Sequence, residues 1–370
     1  MSKKRILFVS YTAEMVGPSF SLLQLLEILK EQYAVSVMLP QNGPFVEFLN
    51  IAEIDTVIED RHNLHARSIP NLWRHIRQHN VDLVFGNTHS RCCRNALIAA
   101  RLASRPFIWH IRSNVDSRPV HRLHAVQFMP FANAIIAVSE SSAASIRPYT
   151  DQNKICIVNN GIPVDQFGAV YGGAREALRR QLQLDPDQFV IITVGNVDKR
   201  KAHEYLISAM SQLVHIVPQA VLLITGRLDR DPAHASFIRD QIQERSLQAH
   251  VKLLGFRNDL ADLLSVADVY AHTALMEGHC RAVLEAMGAE LPVVAFDTGG
   301  VRESIQSGKS GYLVPQKDVI ALSEKIGRLA RTPALIREMG SAGRTLVEEH
   351  FSDRRMASEI GAIIESTFNK

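Results

Sequence analysis

Phe189-Val190-Ile191-Ile192-Thr193-Val194 runs straight into Gly195-Asn196-Val197-Asp198-Lys199-Arg200-Lys201-Ala202-His203. Six residues, mostly apolar and β-branched, make a buried strand, a glycine ends it, and a helix-period segment follows. The unit recurs along the chain. Apolar runs at 221–225, 251–254, 269–271, 293–296 and 311–314 continue this series, with helices between them. An earlier series occupies 5–10, 34–39, 55–58, 82–86, 106–110, 134–138 and 155–158, with helices expected over 19–30, 71–79 and 92–103. Such alternation is the pattern of parallel sheets joined by crossover helices. Between the two series, residues 159–187 turn rich in Gly, Pro, Asp and Gln around one short helical piece at 176–182, and read as an interdomain linker.

The chain has 370 residues. One core stops growing near ~250 residues, so two domains are expected. The pattern divides them as an N-terminal Rossmann-like domain over 1–165, a second over 166–352, and a helix over 353–370 returning to the first. Two doubly wound α/β domains of this kind face a central cleft, where open sheets bind ligands at the carboxyl ends of their strands. With 46% hydrophobic and 21% charged residues, disordered and collagen-like classes are excluded. Apolar runs fall short of the ~20 residues of a membrane helix, and residues 1–10 lead into a strand without a cleavage pattern. A cytoplasmic protein is expected, peripheral on the inner membrane face. Cys92, Cys93, Cys156 and Cys280 lack C-x-x-C spacing and histidines at zinc-finger distances, so they read as buried thiols.

The net charge of +3 conceals an asymmetry. Between Arg61 and His124 stand eleven arginines (61, 67, 74, 77, 91, 94, 101, 105, 112, 118 and 122) against Asp82 and Asp116. Eleven minus two leaves +9 there and, from +3, −6 elsewhere. A solvated arginine face would look like this. So would a footprint for an anionic membrane or acidic saccharide, and arginine without lysine leans toward phosphate or carboxylate. Nucleic acid is not expected, because no recognisable binding module is present.

Chemistry must lie in the turns. The first strand is followed by Gly17 alone, and no three-glycine fingerprint or G-x-x-x-x-G-K-[ST] segment occurs, which disfavours dinucleotide-binding and Walker-type functions. Lys199, Arg200 and Lys201 make a cationic turn that suits an anion, although a solvated basic turn would read the same. In Glu277-Gly278-His279-Cys280-Arg281-Ala282-Val283-Leu284-Glu285-Ala286-Met287, a helix beginning after Gly278 would carry Glu285 two turns deeper on the same side as Glu277. Glu285 sits among apolar residues and needs a hydrogen-bonding partner, which ligand hydroxyls or a snorkelling geometry would supply. Asp297-Thr298-Gly299-Gly300-Val301-Arg302-Glu303 is a third turn, whose glycines let backbone N–H groups approach an oxyanion or simply close tightly. Two D-x-D triplets, 185–187 and 229–231, read as turns rather than cation sites.

These segments together resemble family 4 of the retaining, nucleotide-sugar-dependent glycosyltransferases, which have the two-domain GT-B fold. Besides the paired glutamates and the 195–201 loop, the resemblance rests on Asn160-Gly161-Ile162-Pro163-Val164-Asp165 with Phe167, on Leu254-Gly255-Phe256, and on the glycine turn leading to Gly311-Tyr312-Leu313-Val314. The first domain matches through Ile135-Ile136-Ala137-Val138-Ser139 and the strand ending in His110. What the resemblance implies is a hexosyl transfer from a UDP- or GDP-type sugar to a saccharide or lipid-linked acceptor, in polysaccharide or glycolipid synthesis, without metal or other cofactor. It implies that Glu285 binds the ribose, Glu277 the transferred sugar, and Lys201 the diphosphate, with Arg200, Asn196, Gly278, His279, Gly299 and Gly300 in the same donor set. Backbone around Phe256 and Arg257 would hold the base, and Gly17 would approach the phosphates or acceptor. His110, ahead of His89, would lie near the reacting sugar, so His110, Glu277 and Lys201 form the implied catalytic set. Lys201, Arg200 and helix N-termini at Gly278 and Gly300 would stabilise the leaving phosphate.

The chain departs from that pattern at Asn196, where the family usually has Arg, at Ala202 for Gly, at Gly17-Pro18-Ser19 for paired glycines, and at His279 for an aromatic. Losing the guanidinium at 196 removes a bidentate phosphate contact. Arg200, one residue from Lys201, would compensate, although neighbouring side chains at a helix start are expected to point apart. The competing functions are an epimerase or glycosyl phosphorylase of the same architecture, or a non-catalytic sugar-nucleotide-binding protein.

Overall fold

The computed structural model describes residues 3–59, 68–115, 125–168 and 173–369. They form two compact units, one of Met1–Ile162 with Asp353–Lys370 and the other of Pro163–Ser352. The first contains β1 (Arg5–Val9), α1 (Gly17–Leu29), β2 (Ala34–Leu39), α2 (Pro44–Ile51), β3 (Asp55–Ile58), α3 (Ser68–Gln78), β4 (Leu83–Gly86), α4 (Arg91–Leu102), β5 (Phe107–Ile111), β6 (Ala134–Ala137), α5 (Glu140–Ile146) and β7 (Ile155–Ile157). The strands form one parallel sheet in the order β3-β2-β1-β4-β5-β6-β7. Ile6, Leu7, Phe8 and Val9 are all buried, because helices cover both faces of a parallel sheet.

On one face Phe8 and Phe85 pack with Leu22, Leu25 and Leu26 of α1 and with Met356, Ile360 and Ile364. Those last three residues belong to the C-terminal helix Asp353–Phe368, whose Glu365 accepts a hydrogen bond from the Tyr33 hydroxyl. The other face buries Leu7, Val84, Leu97 and Trp109. Helix α1 begins at Gly17 with Pro18 in its first turn, where a missing N–H costs nothing. Helix α2, which the apolar pattern did not announce, starts the same way at Pro44.

The second unit contains α6 (Gly173–Gln181), β8 (Phe189–Val194), α7 (His203–Leu213), β9 (Ala220–Thr225), α8 (Pro232–Glu244), β10 (Val251–Gly255), α9 (Leu260–Val266), β11 (Val269–His272), α10 (Arg281–Gly288), β12 (Val293–Phe296), α11 (Val301–Ser304), β13 (Gly311–Val314), α12 (Val319–Ala330) and α13 (Pro333–His350). Its six strands are parallel in the order β10-β9-β8-β11-β12-β13. Much of the stretch read as a linker is docked on this unit. The buried Arg179 donates to the carbonyls of Val266, Asp185 and Gln188, Arg175 pairs with Asp268 at 2.8 Å, and Arg344 donates to the Phe167 carbonyl. Arginine side chains make these attachments, which Gly and Pro content does not reveal.

Candidate functional site

Strand order brings three of the turns together. β8 is flanked by β9 and β11, whose connections leave in opposite directions, and at such a switch point open sheets form a crevice beyond their carboxyl ends. The 195–201 turn follows β8, the turn containing Glu277 follows β11, and the 297–300 turn follows β12. Backbone and hydroxyl bonds tie them together. Leu275 N donates to the Arg200 carbonyl at 3.0 Å, Thr273 Oγ1 to the Lys201 carbonyl at 3.1 Å, and Thr298 Oγ1 to the Leu275 carbonyl at 3.0 Å.

Glu277 is the centre of this cluster. Its Oε1 lies 2.6 Å from Lys201 Nζ, 3.2 Å from an Arg200 guanidinium nitrogen and 3.7 Å from His272 Nε2. The Lys201 and Glu277 side chains keep 11% and 10% of their surface, so the pair is not sealed from solvent. Burial alone would raise the Glu277 pKa, but Lys201, His272 and Arg200 outweigh it and hold the carboxyl far below its usual range. Burial likewise works against the Lys201 ammonium, and Glu277 more than restores it. The pair therefore stays ionised across the physiological range.

The two turns differ from the sequence expectation. Glu277 is not on the helix: α10 starts at Arg281, so Glu277 and Gly278 lie in the preceding turn and the site has no helix N-terminus at Gly278. Arg200 and Lys201 do not point apart either. The Asp198 carboxylate accepts from both of their backbone N–H groups, the turn ends at Ala202 with φ of 52°, and only then does α7 begin. Neighbouring side chains in a turn are free of the 100° helical offset, and both reach Glu277.

Two glycines are required by this geometry. Gly195 has φ of +153°, and a Cβ there would lie 2.8 Å from the Lys201 side chain. Gly299 has φ of +46°, and its Cβ would stand 2.0 Å from the Glu277 carbonyl oxygen, which also accepts from Gly300 N at 3.4 Å. Gly300 caps a helix of a single turn.

The remaining expected residues are spread out. Glu285 is buried on α10 and receives Nε and a terminal nitrogen of Arg281 at 3.1 and 2.7 Å. The two glutamates are thus held by different cations. Asn196 is half-buried in the 195–201 turn. His279 turns away from Glu277, with Nε2 3.2 Å from Ser304 Oγ and its ring 5.4 Å from that of Phe351. Phe256 is exposed just after β10, at the sheet edge, and Arg257 is engaged by Asp259. Gly17 opens α1 in the first unit with open space around it.

His110 is in the first unit, within β5, and its ring is fully buried edge-on against Phe85 at 5.8 Å. Its ring nitrogens have no hydrogen-bond partner among the described residues, and burial with the nearby Arg112 pushes its pKa well below the usual value. A side chain with no exposed surface does not line a ligand site in this conformation. The reason is the strand pleat, which sends His110 to the Ile108 and Phe85 side. Arg112, two residues on, carries the buried charge at the end of β5 and donates to Asn87 and Asn160 at 2.9 and 2.8 Å.

Sequence reasoning missed His272 and Arg281 as partners of the two glutamates. Arg281 was findable, since it stands four residues before Glu285, the spacing of a helical ion pair. His272 ends an apolar strand and gave no signal. Of the D-x-D carboxylates, Asp229 pairs with Arg227 and Asp231 caps α8 by accepting from His234 N.

Residues 174–346 match the family model described as glycosyl transferases group 1, and residues 17–166 match that of glycosyltransferase family 4. Among curated proteins, the chain is 29% identical over 203 residues to the Bacillus subtilis putative glycosyltransferase EpsD, a match spanning 55% of this chain and 52% of that protein. It is 24% identical over 345 residues, 86% of each chain, to an Escherichia coli UDP-Gal:alpha-D-GlcNAc-diphosphoundecaprenol alpha-1,3-galactosyltransferase. Several of the other curated matches also span only a half to two thirds of the relative's length. Among solved structures, Anabaena HepE in complex with UDP and glucose superposes with a TM-score of 0.90 at 23% identity, covering 98% of this chain and all of that one. A Rickettsia africae glycosyltransferase gives 0.90 at 19% identity over 99% of both chains.

Proposed function

Because the chain belongs to glycosyltransferase family 4 and has the GT-B fold, we propose that it transfers a hexose from a UDP-sugar to a saccharide or lipid-linked acceptor in surface-polysaccharide or glycolipid synthesis, with retention. The single observation that carries the reading is the ionised Lys201–Glu277 pair at the convergence of three strand-end turns. The two family matches favour transfer over the epimerase, phosphorylase and non-catalytic readings. UDP is preferred as the leaving group because HepE is seen with UDP and the E. coli relative is named for a UDP-sugar.

In this reading the donor diphosphate competes with Glu277 for Lys201 and Arg200, and the released Glu277 carboxylate accepts hydrogen bonds from the sugar hydroxyls. Glu285, oriented by Arg281, takes the ribose. The bond from the anomeric carbon to the phosphate oxygen breaks while that to the acceptor oxygen forms on the same face, and the acceptor proton passes to the departing diphosphate. Negative charge growing on that diphosphate is met by Lys201 and Arg200, which the turn holds in place beforehand. This assignment needs no metal to neutralise the leaving group. We leave His110 outside the contact set, on the ground of its burial.

The acceptor side belongs to the first unit in this proposal. Arg74, Arg77, Arg91 and Arg101 are exposed there, along with Trp73, Leu102 and Phe131, a mixture suited to an anionic lipid surface carrying the acceptor. Arg61, Arg67, Arg118 and Arg122 lie outside the described residues. No described helix is long and apolar enough to cross a membrane. A thermal-shift panel of UDP, GDP and ADP tests the donor reading: UDP should raise the unfolding temperature most, since a ligand of the native state stabilises it by mass action. Equal or absent shifts for all three would contradict it.

A further inference from the structure

A ring nitrogen of His272, a Glu277 carboxylate oxygen and Cys280 Sγ lie within 4.8 Å of one another, with His272 and Cys280 buried and Glu277 nearly so. We infer that they form a binding site for a borderline-soft divalent cation, Zn2+, which displaces Lys201 from Glu277 and so holds the protein in a form that cannot engage its donor.

The three side chains arrive from separate pieces of backbone: His272 ends β11, Glu277 lies in the following turn, and Cys280 is the N-cap of α10. Zn2+ with nitrogen, oxygen and sulfur ligands at ~2.0–2.3 Å places ligand atoms ~3.3–3.7 Å apart at the corners of a tetrahedron. His272 Nε2 and Glu277 Oε1 already stand 3.7 Å apart. A second observation points at the same spot, since His272 is 1% exposed and its Nε2 has no hydrogen-bond partner among the described residues. Imidazole, thiolate and carboxylate together suit Zn2+ or Co2+ and disfavour Mg2+, which takes oxygen ligands. Three protein ligands leave the fourth position of a tetrahedral site to water. Binding releases the thiol proton and needs no redox partner.

Competition follows from the shared carboxylate. Lys201 Nζ occupies Glu277 Oε1 at 2.6 Å, so a cation coordinated at that oxygen competes with the ammonium for it. The loss of donor binding rests on the function proposed above, whereas the metal site does not, and two readouts separate them. Titrating the metal-free protein with Co2+ should produce the thiolate-to-cobalt charge-transfer band together with tetrahedral ligand-field absorption, and stoichiometric Zn2+ should erase both. C280S should abolish the charge-transfer band, H272Q should weaken Co2+ binding at least tenfold, and C156S should change neither. The absence of a thiolate-to-cobalt band in the wild type, or its survival in C280S, overturns the site. Zn2+ should also weaken UDP binding at least tenfold while equal Mg2+ does not. If the band forms and UDP affinity is unchanged, the site stands and the competition with the donor is refuted.

Discussion

Lys201 and Glu277 are 76 residues apart and meet at 2.6 Å. Removing one partner of a buried ion pair leaves the other uncompensated, at a cost of about 3–5 kcal/mol. Glu277→Gln should therefore lower the unfolding temperature as well as the affinity for donor, and UDP should restore part of the stability by supplying Lys201 with a new partner. Calorimetric melting with and without UDP reads both effects. Arg281→Ala should weaken the preference for UDP over its 3′-deoxyribose analogue by several-fold, because Glu285 loses the guanidinium that orients it; an unchanged ratio removes Arg281 from that role. His110 yields a pH signature. Its folded pKa lies well below the ~6.5 of the unfolded chain, so between those values the unfolded state binds more protons and stability falls as pH drops below ~6.5. His203, pushed down to about 3 by burial and by nearby cations, adds to the same slope. His110→Leu should flatten the slope by up to about one proton, or about 1.4 kcal/mol per pH unit, approached near pH 5 and about half that at pH 6.5, in denaturant titrations at pH 5 to 7.

At the scale of elements, the turns decide the site. Gly299→Ala would force an alanine into φ of +46° and set its Cβ against the Glu277 carbonyl, so it should cost about 1–3 kcal/mol and displace Glu277. Equal stability and donor affinity in that variant would show that the turn does not fix the carboxylate. The sequence made the strands and most helices readable, because parallel strands buried on both faces are continuous apolar runs bounded by turn residues. Glu277 and Glu285 were legible as a pair. Their separate engagement was not, since a helix drawn from Gly278 onward hides the turn that sends Glu277 to Lys201. The burial of His110 was equally hidden: a histidine at the end of an apolar run reads as strand-end chemistry until the pleat shows which way its ring points. His272 and Cys280 became a cluster only through tertiary placement.

At the scale of the whole molecule, the charge asymmetry of the sequence becomes a surface property of the first unit, where the exposed arginines of α3 and α4 stand with Trp73 and Leu102. Sedimentation with anionic vesicles at low salt should recover the protein, and raising the salt should release it, because each basic contact with such a surface is screened within a Debye length. No recovery at low salt would remove the membrane from the acceptor reading. In the second unit, the decisive part of the proposed transfer is that Lys201 meets the charge that develops on the leaving diphosphate. Its most direct test is the rate of UDP release from the preferred UDP-sugar donor by the Lys201→Ala variant, compared with wild type at saturating donor. Turnover should fall roughly 10² to 10³-fold in a protein that remains folded. Wild-type turnover in that variant would contradict it.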